Sequence, residues 1–154
     1  MTRRYFVDRS LGKFVVPERL AVGGMLVEPY HKHFERDDEP DEVWIEFAAT
    51  KGWAALTKDS DIRFNELERG AVVRHRMHLF TLVNGNLGGS QGADAFLAAA
   101  AKIEQACDRW AGKPLFGRVH SNGALDLIDP TLPLRYPGRR ERGQGGKFRK
   151  NDEQ

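Results

Sequence analysis

Short apolar runs alternate along this chain with segments whose apolar residues recur at helical spacing. Arg4-Tyr5-Phe6-Val7 reads as a short buried strand that stops at Asp8. Pro17, followed by Glu18-Arg19-Leu20-Ala21, predicts a helix with the proline in its first turn and Gly23-Gly24 as its stop. Met25-Leu26-Val27-Glu28 predicts a second strand. Residues 35–42 hold six carboxylates in eight positions, with Pro40 near their end and Val43, Trp44, Phe47 and Ala48 at helical spacing beyond. An acidic first turn and an early proline mark a helix start, so a helix is predicted up to Gly52. Trp53-Ala54-Ala55-Leu56-Thr57 predicts a third strand, ending against Lys58-Asp59-Ser60-Asp61, and residues 62–76 read as weakly helical. His78-Leu79-Phe80-Thr81-Leu82-Val83 predicts a fourth strand, closed by Asn84-Gly85-Asn86. Ser90 is the expected cap of the strongest helix, 91–111, in which Phe96, Ala100, Ile103, Cys107 and Trp110 form one stripe. Gly112-Lys113-Pro114 ends it, and strands are predicted over residues 115–119 and 125–128.

Strands and helices that alternate in this way predict an α/β fold, a three-layer α/β/α sandwich around a mostly parallel sheet. Sites in such sheets lie beyond the carboxyl ends of the strands. The 154 residues suit one domain, which at this size hides roughly 70% of its unfolded surface.

Charge adds a boundary. Residues 135–154 hold seven Lys/Arg against three Asp/Glu, a net of +4, which leaves residues 1–134 with 17 against 19, a net of −2. That terminal segment has only Tyr136 and Phe148 as large apolar residues, so it reads as a disordered Gly/Arg-rich tail after a domain at 1–134. Such a tail suits contact with phosphates, or serves only to keep the protein soluble. The single cysteine, Cys107, has no internal disulfide partner. A charge follows the first apolar residues at once, and no apolar run approaches the roughly 18 residues of a membrane span. A cytoplasmic protein with no membrane association is expected.

The carboxylates that end predicted strands carry the chemistry. Asp8 follows the first strand directly, Asp59 and Asp61 follow the third, and Asp41 and Glu42 open a helix able to face the same rim. Carboxylates gathered there repel one another unless a cation neutralises them. Hard divalent cations take oxygen ligands, and two of them can activate water for phosphodiester cleavage. Each acid also has a plainer use: Asp41 as a helix cap, Asp59 and Asp61 as turn residues, Asp8 as the partner of Arg9 or Lys13.

Phe6-Val7-Asp8, then Pro40-Asp41-Glu42-Val43-Trp44 leading into Gly52-Trp53-Ala54-Ala55-Leu56-Thr57-Lys58-Asp59-Ser60-Asp61, resembles a PIN-domain nuclease. The resemblance is narrower to the compact PIN-like branch related to VapC toxins of bacterial toxin–antitoxin pairs, clear over residues 4–83 and fainter to about 128. It implies a Mg²⁺- or Mn²⁺-dependent endoribonuclease with a cognate antitoxin, and a homodimer is compatible with it. By position, Asp8, Asp41, Asp59 and Asp61 match the acidic metal-binding and catalytic set, with Glu42 as the alternative to Asp41. Arg9, Lys13, Lys58 and Arg63 lie beside these acids and are candidates to hold RNA phosphates or merely to pair the carboxylates. Two departures stand out: Ile62 where the family often has an aromatic, and the basic tail.

Other signals weigh less. His31-x-His33 and His75-x-x-His78 lack the companions of a zinc site and read as surface histidines. Gly85-Asn86-Leu87-Gly88-Gly89-Ser90 lacks the Gly-Lys-Ser/Thr ending of a phosphate loop and reads as a flexible turn. Cys107 and the three tryptophans read as core. Two other functions compete: a non-catalytic PIN-like module that binds RNA or protein, and a receiver-type signalling domain. The latter needs paired acids after the first strand, where this chain has Asp8 followed by Arg9.

Overall fold

The computed structural model of the protein describes residues 3–59 and 65–133. Asp61, Arg63 and the basic tail therefore lie outside the described residues. Six strands form one sheet: β1 (Arg4–Val7), β2 (Leu26–Pro29), β3 (Ala54–Thr57), β4 (His78–Leu82), β5 (Leu115–Val119) and β6 (Leu125–Ile128). Their order is β2-β1-β3-β4-β5-β6, with the first five parallel and β6 antiparallel to β5. Helices α1 (Val15–Val22), α2 (Tyr30–His33), α3 (Asp41–Thr50), α4 (Glu66–His75) and α5 (Gly89–Arg109) complete the three layers. The expected α/β sandwich is what the chain forms.

Period-two alternation distributes the core. Tyr5, Val7, Leu56, Phe80, Leu82 and Val119 face α1 and α5, where Val16, Leu20, Phe96, Ala99, Ile103 and Cys107 cover them. Phe6, Ala55, Leu79 and Phe116 face the other way, under Tyr30, Trp44, Ile45, Ala48, Ala71 and Val72. The next residue on that second face after Phe6 is Asp8, and after Ala55 it is Thr57. A polar row thus begins where the apolar rows stop.

Two sequence expectations move. Helix α5 starts two residues early: Gly88 is its N-cap and Ser90 sits inside the first turn, so Ser90 is not the cap. The start lies hard against neighbours, since a Cβ on Gly89 would stand 2.9 Å from Val15 and one on Gly92 3.1 Å from Leu82. Close packing, not a serine hydroxyl, sets where this helix begins, and Gln91 Oε1 accepts from the Gly88 N–H at 3.4 Å. The weak helix at 62–76 condenses to α4, capped by Asn65, whose Oδ1 accepts from the amides of Leu67 and Glu68. Among the described residues no helix is long and apolar enough to cross a membrane.

Candidate active site

Asp8 is only 2% exposed at the carboxyl end of β1, an inner strand, and its N–H continues the ladder to the Leu56 carbonyl at 2.9 Å. Its Oδ2 accepts from Ser10 Oγ at 2.7 Å and from Thr57 Oγ1 at 2.8 Å. Those hydroxyls in turn accept from backbone: Lys58 N–H to Ser10 at 3.1 Å, Asp59 N–H to Thr57 at 3.1 Å. The two hydroxyls also stand 3.0 Å from each other, so they and the carboxylate form one small network. Oδ1 is buried and has no hydrogen-bond partner among the described residues.

The side-chain partners of Asp8 are therefore hydroxyls, not Arg9 or Lys13 as the sequence alone suggested. A 3-10 turn at Arg9–Leu11 begins directly after the strand and folds residue 10 back onto it, with Leu11 N–H donating to the Asp8 carbonyl. Lys13 lies exposed in the following turn. Arg9 instead reaches across to α3, its Nη2 3.8 Å from Asp41 Oδ1 and its guanidinium 5.0 Å above the Tyr30 ring. Its Nη1 is buried and has no partner.

Asp41 occupies the first turn of α3 beside Glu42, and its Oδ1 also accepts from Trp44 Nε1 at 2.8 Å. The packing of α4 on α3 brings a further carboxylate that sequence reasoning missed, Glu68. Burial pushes the Glu68 carboxyl up to about 7, helped by the charge and hydrogen bond of Asp41 and by the charges of Asp59 and Glu42. The signal available in the sequence was the Asn65-x-x-Glu68 cap pattern, which locates a helix start without revealing what the helix faces. Lys58 is half-buried and lines a cleft of about 150 Å³ with Ser10, Gly12 and the α5 start.

The histidines resolve differently from the surface role expected of them. His33 is largely covered, its Nε2 2.9 Å from Glu28 Oε1 and its ring packed between Phe47 and Trp53. Burial alone would raise Glu28, but hydrogen bonds from His33 and Lys32 and the charges of Lys32 and Arg4 hold it below the usual carboxylate range. His78 Nε2 meets the carbonyls of Trp110 and Lys113, tying β4 to the end of α5. Both are structural. Cys107 is core, as expected, its thiol pushed up to about 12 by burial.

Among the described residues no three His, Cys, Asp or Glu side chains stand close enough together to hold a metal as they are. The donor chemistry nevertheless fits a hard cation. A buried carboxylate oxygen lacks a partner, neighbouring carboxylates repel one another, and every candidate donor is oxygen.

Over residues 3–84 the chain matches the family described as PIN like domain. A curated relative from Mycobacterium tuberculosis, assigned by name as a ribonuclease, VapC45, is 33% identical over 126 residues, covering 80% of this chain and 90% of that protein. No solved structure matches the chain significantly.

Two outcomes follow from this geometry. Thr57→Val strips a buried donor from Asp8 and should cost about 1–3 kcal/mol, read as a lower urea midpoint at unchanged slope. Unfolding that is indistinguishable from wild type would show that the hydroxyl holds nothing. In metal-free buffer, Glu68 favours the folded state most at low pH, because its carboxyl holds its proton more tightly there than the usual 4.5. That stabilisation is complete below about 4.5 and is lost as pH rises through about 7. The thermal midpoint of Glu68→Gln should therefore fall less than that of wild type between these values, and parallel curves would remove Glu68 from the repulsive cluster.

Proposed function

The chain belongs to the PIN-like domain family, and we propose that it is a divalent-cation-dependent endoribonuclease of the VapC toxin kind. The carrying observation is Asp8, a buried strand-end carboxylate fixed through one oxygen and left with the other unpartnered. The name of the mycobacterial relative supports the ribonuclease reading. In this proposal Asp8, Asp41, Asp59 and Asp61 hold magnesium (Mg²⁺) or manganese (Mn²⁺), with Glu42 adjoining Asp41 and Glu68 within reach of its charge. When bound, such an ion activates water and offsets charge on the phosphate under attack.

The remaining steps belong to the chain's own residues. Ser10 and Thr57 hold Asp8 in one orientation, so its free oxygen needs no reordering when the site fills. Trp44 fixes Asp41 from behind. Arg9, anchored by Tyr30 and Asp41, is assigned with Lys58, Lys13 and Arg63 to the phosphates flanking the cut. A cognate antitoxin, a homodimer and a cytoplasmic site of action belong to the same proposal.

The test is cleavage of labelled RNA by purified protein in Mn²⁺ and in EDTA. Asp8→Asn and Asp59→Asn should each lower the cation-dependent rate by about a hundredfold or more while the thermal midpoint stays near that of wild type. Wild-type rates in Asp59→Asn would overturn the site assignment. Wild-type protein that binds RNA in Mn²⁺ without cutting it would favour the non-catalytic module.

The basic tail enters here as a second RNA contact. Arg69 Nη2 donates to the Leu132 carbonyl at 3.1 Å, so the described chain ends against α4, next to Glu68. In this proposal the net charge of +4 on residues 135–154 attracts the phosphates that the acids of the site repel. Removing these residues should leave the thermal midpoint near wild type, weaken RNA binding and flatten its dependence on salt. Equal salt slopes for full-length and truncated protein would separate the tail from the RNA.

A further inference from the structure

The polar row that starts at Asp8 does not stop at the acids. Strand register carries it across the sheet: Phe6 pairs with Ala55, which sets Asp8 level with Thr57, and Thr57 pairs with Thr81 and Thr81 with Arg118. Thr81 Oγ1 is buried and has no partner. Arg118 Nη1 and His120 Nε2 both reach Asp126 Oδ2, at 3.6 and 2.8 Å. One residue further along, the ends of β4 and β5 frame a cleft of about 330 Å³ lined by Val83, Asn84, His120, Ser121, Asn122 and Ala124. Val83 N–H donates to the Val119 carbonyl at 2.8 Å, so the two strand ends are pinned together. The turn after them is fixed as well, because Gly123, at φ 87°, packs where a Cβ would stand 2.6 Å from Ala98 of α5.

This cleft is the chemical opposite of the acid cluster. Among the described residues its lining holds no carboxylate. Asn84 Oδ1 accepts from the Asn86 amide and Asn122 Oδ1 from the Ala124 amide, each at 3.0 Å, which leaves both side-chain NH2 groups as donors. Ser121 adds a hydroxyl, and Val83 and Ala124 supply apolar surface. The sheet order β1-β3-β4-β5 sets the ends of β4 and β5 two and three strands from Asp8, and adjacent strands lie about 4.8 Å apart. The cleft therefore begins about two strands from Asp8 and ends about three strands away.

We propose that this cleft is a nucleotide subsite: single-stranded RNA runs from the acid centre over Thr81 and Arg118, and the Asn84–Asn122 pocket takes the nucleotide next to the cleaved phosphate. Arg118 contacts the backbone, whereas the two amides read a base edge, so the pocket sets a sequence preference. The inference rests on the ribonuclease reading.

The test uses full-length protein with Asn84→Asp and Asn122→Asp. Each keeps the oxygen that the turn amide needs, removes the NH2 donors and adds a charge facing the RNA. Gln105→Glu, exposed on α5, controls for charge alone. Against a mixed-sequence single-stranded RNA in Mn²⁺, each Asn variant should raise KM about tenfold with kcat nearly unchanged and should redistribute the cut sites. The control should match wild type. Unchanged KM and unchanged cut sites in both Asn variants, with wild type cutting normally, would overturn the subsite alone. Wild type that cuts nothing would overturn the ribonuclease reading. The subsite is then judged by anisotropy with the same RNA, where affinity equal to wild type in both Asn variants ends it.

Discussion

A carboxylate taken out of water needs donors, and Asp8 obtains them from two hydroxyls that are themselves held by backbone amides. This small network closes the gap between the end of β1 and the end of β3, because one of its hydroxyls comes from each segment. It settles the direction in which Asp8 presents its remaining oxygen. It also fixes the path of the loop that carries Lys58 and Asp59 away from the sheet. Everything proposed for the rim, from the cation to the nucleotide cleft, is measured outward from that one oriented side chain.

The layers were legible in the sequence because strands are bounded by a change of polarity and α1, α3 and α5 by a glycine or proline. The α5 stripe and the strand ending at Asp8 are examples in which a single local rule suffices. What stayed hidden depends on contacts across the chain. Glu68 sits in a mostly polar helix, and only the packing of α4 on α3 turns it toward Asp41. Ser10 and Thr57 look like ordinary small polar residues until the register sets them on one oxygen. His33 looked like surface because its burial comes from Phe47 and Trp53, far along the chain. Ser90 was misassigned because hydroxyl caps are a local preference, and close glycine packing against Val15 and Leu82 overrode it.

The second face of the sheet is covered thinly. Helix α2 has one turn and α3 fewer than three, so large rings fill the space that longer helices would occupy. Phe6 stacks on Trp44 at 5.2 Å, Tyr30 on Phe34 at 5.0 Å, and Phe47 meets Phe34 and Trp53 edge-on. Such pairs add roughly 0.5–1.5 kcal/mol each beyond their area, and ring side chains have few rotatable bonds to immobilise.

That aromatic layer also explains how a small domain keeps an acidic rim in order. Repulsion among Asp41, Glu42, Asp59 and Glu68 works to spread α3 and α4 apart. The side chains that oppose this spreading are the same rings: Trp44 holds Asp41 by its indole N–H, and Tyr30 holds Arg9 by its face, with Arg9 in turn 3.8 Å from Asp41. Asp41 and Arg9 are therefore each backed by a buried ring that is anchored in the core. Substitutions in this layer should act on the site through position before they act through stability. A rim built this way keeps Asp8 and Asp41 in fixed orientations, so that filling the site asks for movement of the remaining carboxylates and not of these two.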